Sequence, residues 1–177
     1  MTDNSNTEML DQPVGQTNGG ARLAVTEGIT AEHLAEIYAD PYMQRIGWDC
    51  RPAAPVIHPS AQYVSAWIGD AFAGAFLVIR SSVIESDFHS LLKRSSVKHS
   101  RSLLRLAIDW AFNQRPILRL TAYIAEGLGS ARNAAIKVGF VPEGRMRHAC
   151  VKNGQPCDVY MLSIIREDWR HARGIYH

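Results

Sequence analysis

An α+β fold, one mixed and mostly antiparallel sheet covered by helices, is predicted by three observations along this chain. Alternating apolar runs between residues 62 and 92 are spaced closely enough to form a three-strand meander. Two stretches of helical periodicity flank a short strand, ILRLTAYIA, that is apolar enough to be buried on both faces. Near the C-terminus, Asn153-Gly154 sits between two alternating runs and is a strong hairpin signal.

Length and composition bound the rest. The 177 residues suggest one domain with a full core, and 46% hydrophobic with 20% charged residues is ordinary globular composition. No apolar run approaches the roughly 18–20 residues that span a bilayer. MTDNSNTEML lacks the basic and apolar regions of a secretory signal. A net charge of +2 gives no strong pull toward nucleic acid. The 3 cysteines, few and odd in number, fit a reducing compartment, so a cytoplasmic location is expected.

The elements follow in order. Residues 1–20 form a polar tail whose larger apolar side chains are Met9, Leu10 and Val14. It cannot bury enough surface to order itself, so ordering it would take a protein partner, a homo-oligomer or a larger assembly. The domain proper is expected over 21–170, with a short tail at 171–177. ARLAVTE (21–27) reads as the first strand, and Thr30 as the N-cap of the following helix, which the Asp40-Pro41 step ends. Prolines 52, 55 and 59 mark residues 49–60 as a loop. Strands at 62–68 and 71–80 are joined at Gly69-Asp70, and 82–92 completes the meander. After the polar loop KRSSVKHS comes a helix with Leu103, Leu104, Ala107, Ile108 and Ala111 at helical spacing. The strand at 117–125 leads to SARNAAIKVGF, a helix that Gly139 ends as its C′ residue.

The last hairpin can be read pair by pair. A type I′ turn at Asn153-Gly154 sets Lys152 opposite Gln155, Val151 opposite Pro156 and Cys150 opposite Cys157. Pro156 then occupies a non-hydrogen-bonded pair, where its missing N–H costs nothing. Cys150 and Cys157 could form a disulfide or half a metal site, but the compartment favours two reduced, packed thiols.

With these elements placed, the chain resembles the GNAT superfamily, the Gcn5-related N-acetyltransferases. The likeness is to the ribosomal-protein N-terminal acetyltransferase branch and to phage-encoded GNAT-like proteins. It is carried by His89, LLRLAIDWAF (103–112), TAYIA (121–125), AAIKVGFVPEG (134–144) and NGQPCDVYMLSIIREDW (153–169), and spans Leu23 to Trp169. The resemblance implies a GNAT-like, acyl-CoA N-acyltransferase fold. It implies that strand 82–92 splays from strand 117–125 to admit the pantetheine arm of acetyl-CoA, with backbone near Leu91 and Leu92 meeting the arm and polarising the thioester carbonyl. The pyrophosphate would lie at the next helix N-terminus, on Lys98, His99, Ser100, Arg101 and Ser102. Three positions depart from the family's pattern. The loop RSSVKHSRS has no glycine, Leu128 stands where an Asn often holds the pantetheine, and Ala135 stands where many members carry a general-acid Tyr.

Candidate general bases are Glu85 or Asp87 on the splayed strand, or His89, each with an ordinary structural role as the alternative. The 7 histidines show no metal-ligand spacing, and no metal is expected. Two functions follow. One is an acetyl-CoA-dependent N-acetyltransferase acting on an amine: a protein N-terminus, a lysine or a small amine. The other is a catalytically degenerate GNAT fold serving as an assembly component, as in a phage particle, with no cofactor and a virion location.

Overall fold

A computed structural model of the chain describes residues 14–18, 21–47 and 54–174. An eight-stranded sheet forms its centre, in the order β1-β2-β3-β4-β5-β6-β8-β7. Its strands are β1 (Val14–Asn18), β2 (Ala21–Glu27), β3 (Ala61–Ile68), β4 (Ala71–Arg80), β5 (Glu85–Leu92), β6 (Arg119–Ala125), β7 (Val141–Lys152) and β8 (Gln155–Ile165). All neighbours are antiparallel except β5 and β6. The helices are α1 (Ala31–Ala39), α2 (Pro41–Ile46), α3 (Ser100–Gln114), α4 (Gly129–Lys137) and α5 (Arg166–Ala172). The predicted mixed sheet with flanking helices is therefore the observed architecture.

Local chemistry sets the element ends. Thr30 caps α1 as expected, its hydroxyl accepting from the His33 N–H at 3.1 Å. Asp40 ends α1 but also starts α2, which the sequence reading did not foresee. Its carboxylate accepts from the N–H groups of Tyr42 and Met43, and Pro41 takes the first helical position, where a missing N–H is harmless. The meander's third strand begins at Glu85 rather than 82, because the Ser82 hydroxyl accepts from the Ile84 and Glu85 N–H groups and holds a turn. At the end of α4, Gly139 adopts φ +112°, and the N–H groups of Gly139 and Phe140 return to Ile136 and Ala135.

The tail boundary needs correction. Residues 14–18, counted above with the polar tail, form edge strand β1, with Asn18 opposite Ala21. Residues 1–13 lie outside the described residues. At the other end α5 continues to Ala172, where Asp109 accepts from both Trp169 Nε1 and Arg173. The final hairpin has the predicted register, Cys150 opposite Cys157, and positive φ at both Asn153 and Gly154. The two cysteines are not joined as a disulfide, and their sulfurs lie 2.7 Å apart as a hydrogen-bonded thiol pair.

Two apolar layers enclose the sheet. On one face Phe76, Phe88 and Leu120 pack with α3 side chains such as Leu103 and Phe112. On the other, Ile37 of α1 and Met43 of α2 cover Phe72 and Ala75. β4 bends at a bulge, where the register with β3 slips between Ala66 and Trp67. Gly74 in this bend has φ +135°, and a Cβ there would lie 2.8 Å from Leu92 Cα.

The two halves of the sheet meet only at β5 and β6, over the pairs Glu85–Arg119, Ser86–Leu120 and Asp87–Thr121. Arg119 clamps that junction. Its Nε donates to Glu85 on β5 at 3.0 Å, and its Nη1 donates to Glu143 on β7 at 2.8 Å. The Thr121 hydroxyl donates to Glu85, and the Ser163 hydroxyl of β8 donates to Glu143. Arg119 and then Ser163 hold the Glu143 carboxyl down at about 2.

Gly74→Ala is expected to cost about 3 kcal/mol or more in urea unfolding, because positive φ and backbone contact add. The clamp predicts acid sensitivity. Glu143 is ionised in the folded chain down to about 2 but only to an ordinary 4.5 when unfolded. Its stabilisation is complete above about 4.5 and is lost as pH falls toward 2. A urea midpoint followed from pH 6 to 2.5 should fall in that window. In Arg119→Gln the chain should be weaker at pH 7, and the acid-side fall should flatten or reverse as carboxylate repulsion is relieved.

Candidate active site

The junction that Arg119 clamps opens on its far side. The β5–β6 ladder stops at Asp87–Thr121, while β5 stays paired to β4 as far as Leu92, and β6 to β8 as far as Ala125. Residues 88–92 and 122–125 thus line the two walls of a cleft.

Backbone alternation identifies which groups face it. Lys93 N–H donates to Ala73 on β4, and Glu85 O accepts from Ser81, so the odd-numbered residues of β5 bond toward β4. The even-numbered ones face β6, as Ile84 does in accepting from Arg119 N–H. Beyond the end of the ladder, the N–H groups of Ser90 and Leu92 therefore point into the cleft. Of Leu91 and Leu92, only Leu92 turns its N–H toward the cleft, since that of Leu91 faces β4. The Leu91 side chain packs below α1 and α2, and that of Leu92 enters the main core.

The same alternation sorts the side chains. Glu85, Asp87 and His89 share the face opposite α3, together with Thr121 and Tyr123 of β6. The Thr121 hydroxyl and then Arg119 hold Glu85 below the ordinary carboxylate range, against the opposing effect of burial. So engaged, Glu85 is a poor proton acceptor, and its role is in the clamp. Burial depresses the His89 imidazole, with Asp87 opposing, so His89 is neutral at pH 7. Burial, then Asp87 and Glu85, raises the Tyr123 phenol. Tyr123 was not singled out in the sequence. Its signal was the parallel offset: two residues past Asp87–Thr121 on each strand come His89 and Tyr123.

The expected pyrophosphate cradle is altered. Residues Arg94–His99 wind as a 3₁₀ turn directly into α3, and the Ser100 N–H is taken by Val97 O. Asp40 accepts from Arg94 N–H at 3.1 Å, and Lys93 O accepts from both the N–H and the hydroxyl of buried Ser96. Without glycine the loop satisfies itself rather than offering its backbone to an anion. Lys98, Arg101 and Ser102 instead meet Arg105 and β1 residues Gln16 and Thr17 around a cavity of about 400 Å³. His99 and Ser100 do not line it. Three cations and no acid make this an anion-favouring pocket.

Leu128 occupies the N-cap position of α4 with no side-chain cap, and Ala135 is buried. Among the described residues no group of His, Cys, Asp and Glu could hold a metal, and no helix is long and apolar enough to cross a membrane.

No family model and no curated protein matches the sequence. Solved structures do. RimJ of Mycobacterium smegmatis, in complex with CoA-disulfide, superposes with TM-score 0.75 at 13% identity, over 94% of this chain and 96% of its own. Spermidine N-acetyltransferase SpeG of Vibrio cholerae gives 0.72 at 14% identity, over 85% of this chain and 98% of its own. SpeG in complex with CoA and spermine gives 0.70 at 14%, over 83% and 97%. The mixed sheet with its one parallel, splayed junction thus has the fold of the GNAT acyl-CoA N-acyltransferases.

Proposed function

We propose that this chain is an acetyl-CoA-dependent N-acetyltransferase acting on an amine. The observation that carries the proposal is the opening of β5 from β6 past Asp87–Thr121, with the N–H groups of Ser90 and Leu92 facing it. A pantetheine arm carries two amides, and a free strand edge offers the donors and acceptors such amides need. Acetyl-CoA supplies an acyl group on a good leaving thiol. The chain's own groups position and deprotonate the attacking amine and polarise the carbonyl. His89, neutral and on the same face as Asp87, takes the amine proton directly or through water. A cleft N–H, from Ser90 or Leu92, polarises the carbonyl as negative charge develops on its oxygen. Lys98 and Arg101 offer side-chain charge to the phosphates in place of loop backbone. Spermidine N-acetyltransferases share the fold, and peptide α-amines, lysines and polyamines are the acceptors to test.

The self-satisfied loop and buried Ala135 favour a second reading, a degenerate GNAT fold serving as a part of a larger assembly, such as a phage particle. One measurement separates the two. Calorimetry with acetyl-CoA should show saturable binding, and release of CoA should accompany turnover of spermidine, an α-amino peptide or a lysine peptide. No heat at millimolar acetyl-CoA supports the assembly reading instead. In Lys98→Ala/Arg101→Ala, affinity for acetyl-CoA should fall about 10-fold or more, as expected for lost charge-assisted contacts.

A further inference from the structure

Away from the cleft, the C-terminal hairpin brings two nucleophilic side chains together. Cys150 of β7 stands directly opposite Cys157 of β8. Residues so opposed in an antiparallel pair lie about 4.5–5.5 Å apart at Cα, inside the window of about 4.4–6.8 Å that a disulfide requires. The side chains turn toward one another, with the sulfurs 2.7 Å apart. The pairing is held from both sides. The Asn153-Gly154 turn, with positive φ at both residues, sets it from the tip. On the other side the register slips between Met146 and Cys150, and Asp158 pins that bulge by accepting from the His148 N–H at 2.8 Å. Among the described residues no group of His, Cys, Asp and Glu could hold a metal, so the pair belongs to no larger ligand set. The two thiols differ in access. Cys150 is buried with Ala125 and Val159, whereas Cys157 is only half-buried at the margin of that cluster.

We propose that Cys150 and Cys157 form a reversible redox-modification site, a dithiol at rest that a small-molecule disulfide closes to a cross-strand disulfide. The site stands independently of the acetyltransferase reading above. Access assigns the two roles. The Cys157 thiolate attacks one sulfur of the small disulfide, whose S–S bond breaks, and one small thiol leaves. The Cys150 thiolate then attacks the Cys157 sulfur of this mixed disulfide and expels the second small thiol. Two protein thiols are oxidised, one small disulfide is reduced to two thiols, and the two cysteine protons end on the thiols released. In a reducing compartment such a bond is transient and sensing rather than structural. It staples the hairpin tip outside the bulge, where only the pairs from Cys150–Cys157 to Lys152–Gln155 tie β7 to β8.

The test exposes the full chain to oxidised glutathione, alkylates the remaining thiols and digests with trypsin. Cleavage after Arg147, Lys152 and Arg166 puts the two cysteines on separate peptides, HACVK and NGQPCDVYMLSIIR. These should be recovered joined, short of two hydrogens, and should separate on treatment with dithiothreitol. Cys150→Ser should stop at a glutathione adduct on Cys157. Cys157→Ser should form its hairpin adduct at least about 10-fold more slowly, because the thiol it retains there is buried. Thermal midpoints matching the unmutated chain show that both variants fold. The order of attack is also read without them, since a reaction quenched early should carry the adduct on Cys157 and none on Cys150. Recovery of the two peptides unmodified or as separate adducts overturns the proposal, as does either one joined to the peptide that carries Cys50. An early adduct on Cys150, or equal rates in the two folded variants, overturns the assignment of roles.

Discussion

Arg119 is the constraint on which the rest depends. The sheet is two antiparallel units, β1–β5 and β6–β8, sharing three residue pairs. So short a parallel ladder contributes little alone, because each pair adds one slanted bond to two strands already committed elsewhere. Arg119 adds what the ladder lacks. One guanidinium joins β6 to Glu85 of β5 and to Glu143 of β7, and the Thr121 and Ser163 hydroxyls each donate a further hydrogen bond to one of these carboxylates. The side chains are partly exposed, so pairwise attraction is modest. The network's effect is geometric, fixing where the two units touch and hence where they part.

From that pivot the opening follows. β5 follows β4, which bends at the Gly74 bulge, while β6 follows β8. Each unit carries its own right-handed twist, so strands pinned at one end diverge at the other. Divergence leaves unpaired backbone on two walls, and unpaired backbone in a sheet interior must find a partner. A ligand bearing amides is the kind of partner that fits. The cleft and the clamp are consequences of one topology.

Much of this was legible in the residues. Asn153-Gly154 and Pro156 fixed the hairpin register because turn chemistry and ladder parity agreed on one pairing. Gly139 fixed the end of α4 because only αL geometry completes that cap. Less legible was anything set by distant partners. Asp40-Pro41 read as a stop, and that it also starts a helix depends on a side chain turning back to cap it. Glu85 looked available as a base until Thr121 and Arg119, remote in sequence, were found on it. The basic loop read as a phosphate cradle, but whether its N–H groups are free depends on a 3₁₀ winding and on Asp40. Tyr123 was overlooked because an aromatic in an apolar strand has a sufficient structural reason to be there.

The site's departures from the family's pattern can be weighed together. Losing loop glycines removes backbone donors, yet the same segment gathers Lys98, Arg101 and Arg105 on one pocket, substituting charge for geometry. Such a substitution is coarser, because flexible cations neutralise an anion without fixing its orientation. Ala135, buried on α4, leaves that helix without the phenol of the family's pattern. Neither departure would matter if the cleft were closed. The structure leaves it open, with backbone donors directed into it and a neutral imidazole at its mouth. The open cleft is the feature on which the proposed acetyltransferase reading rests.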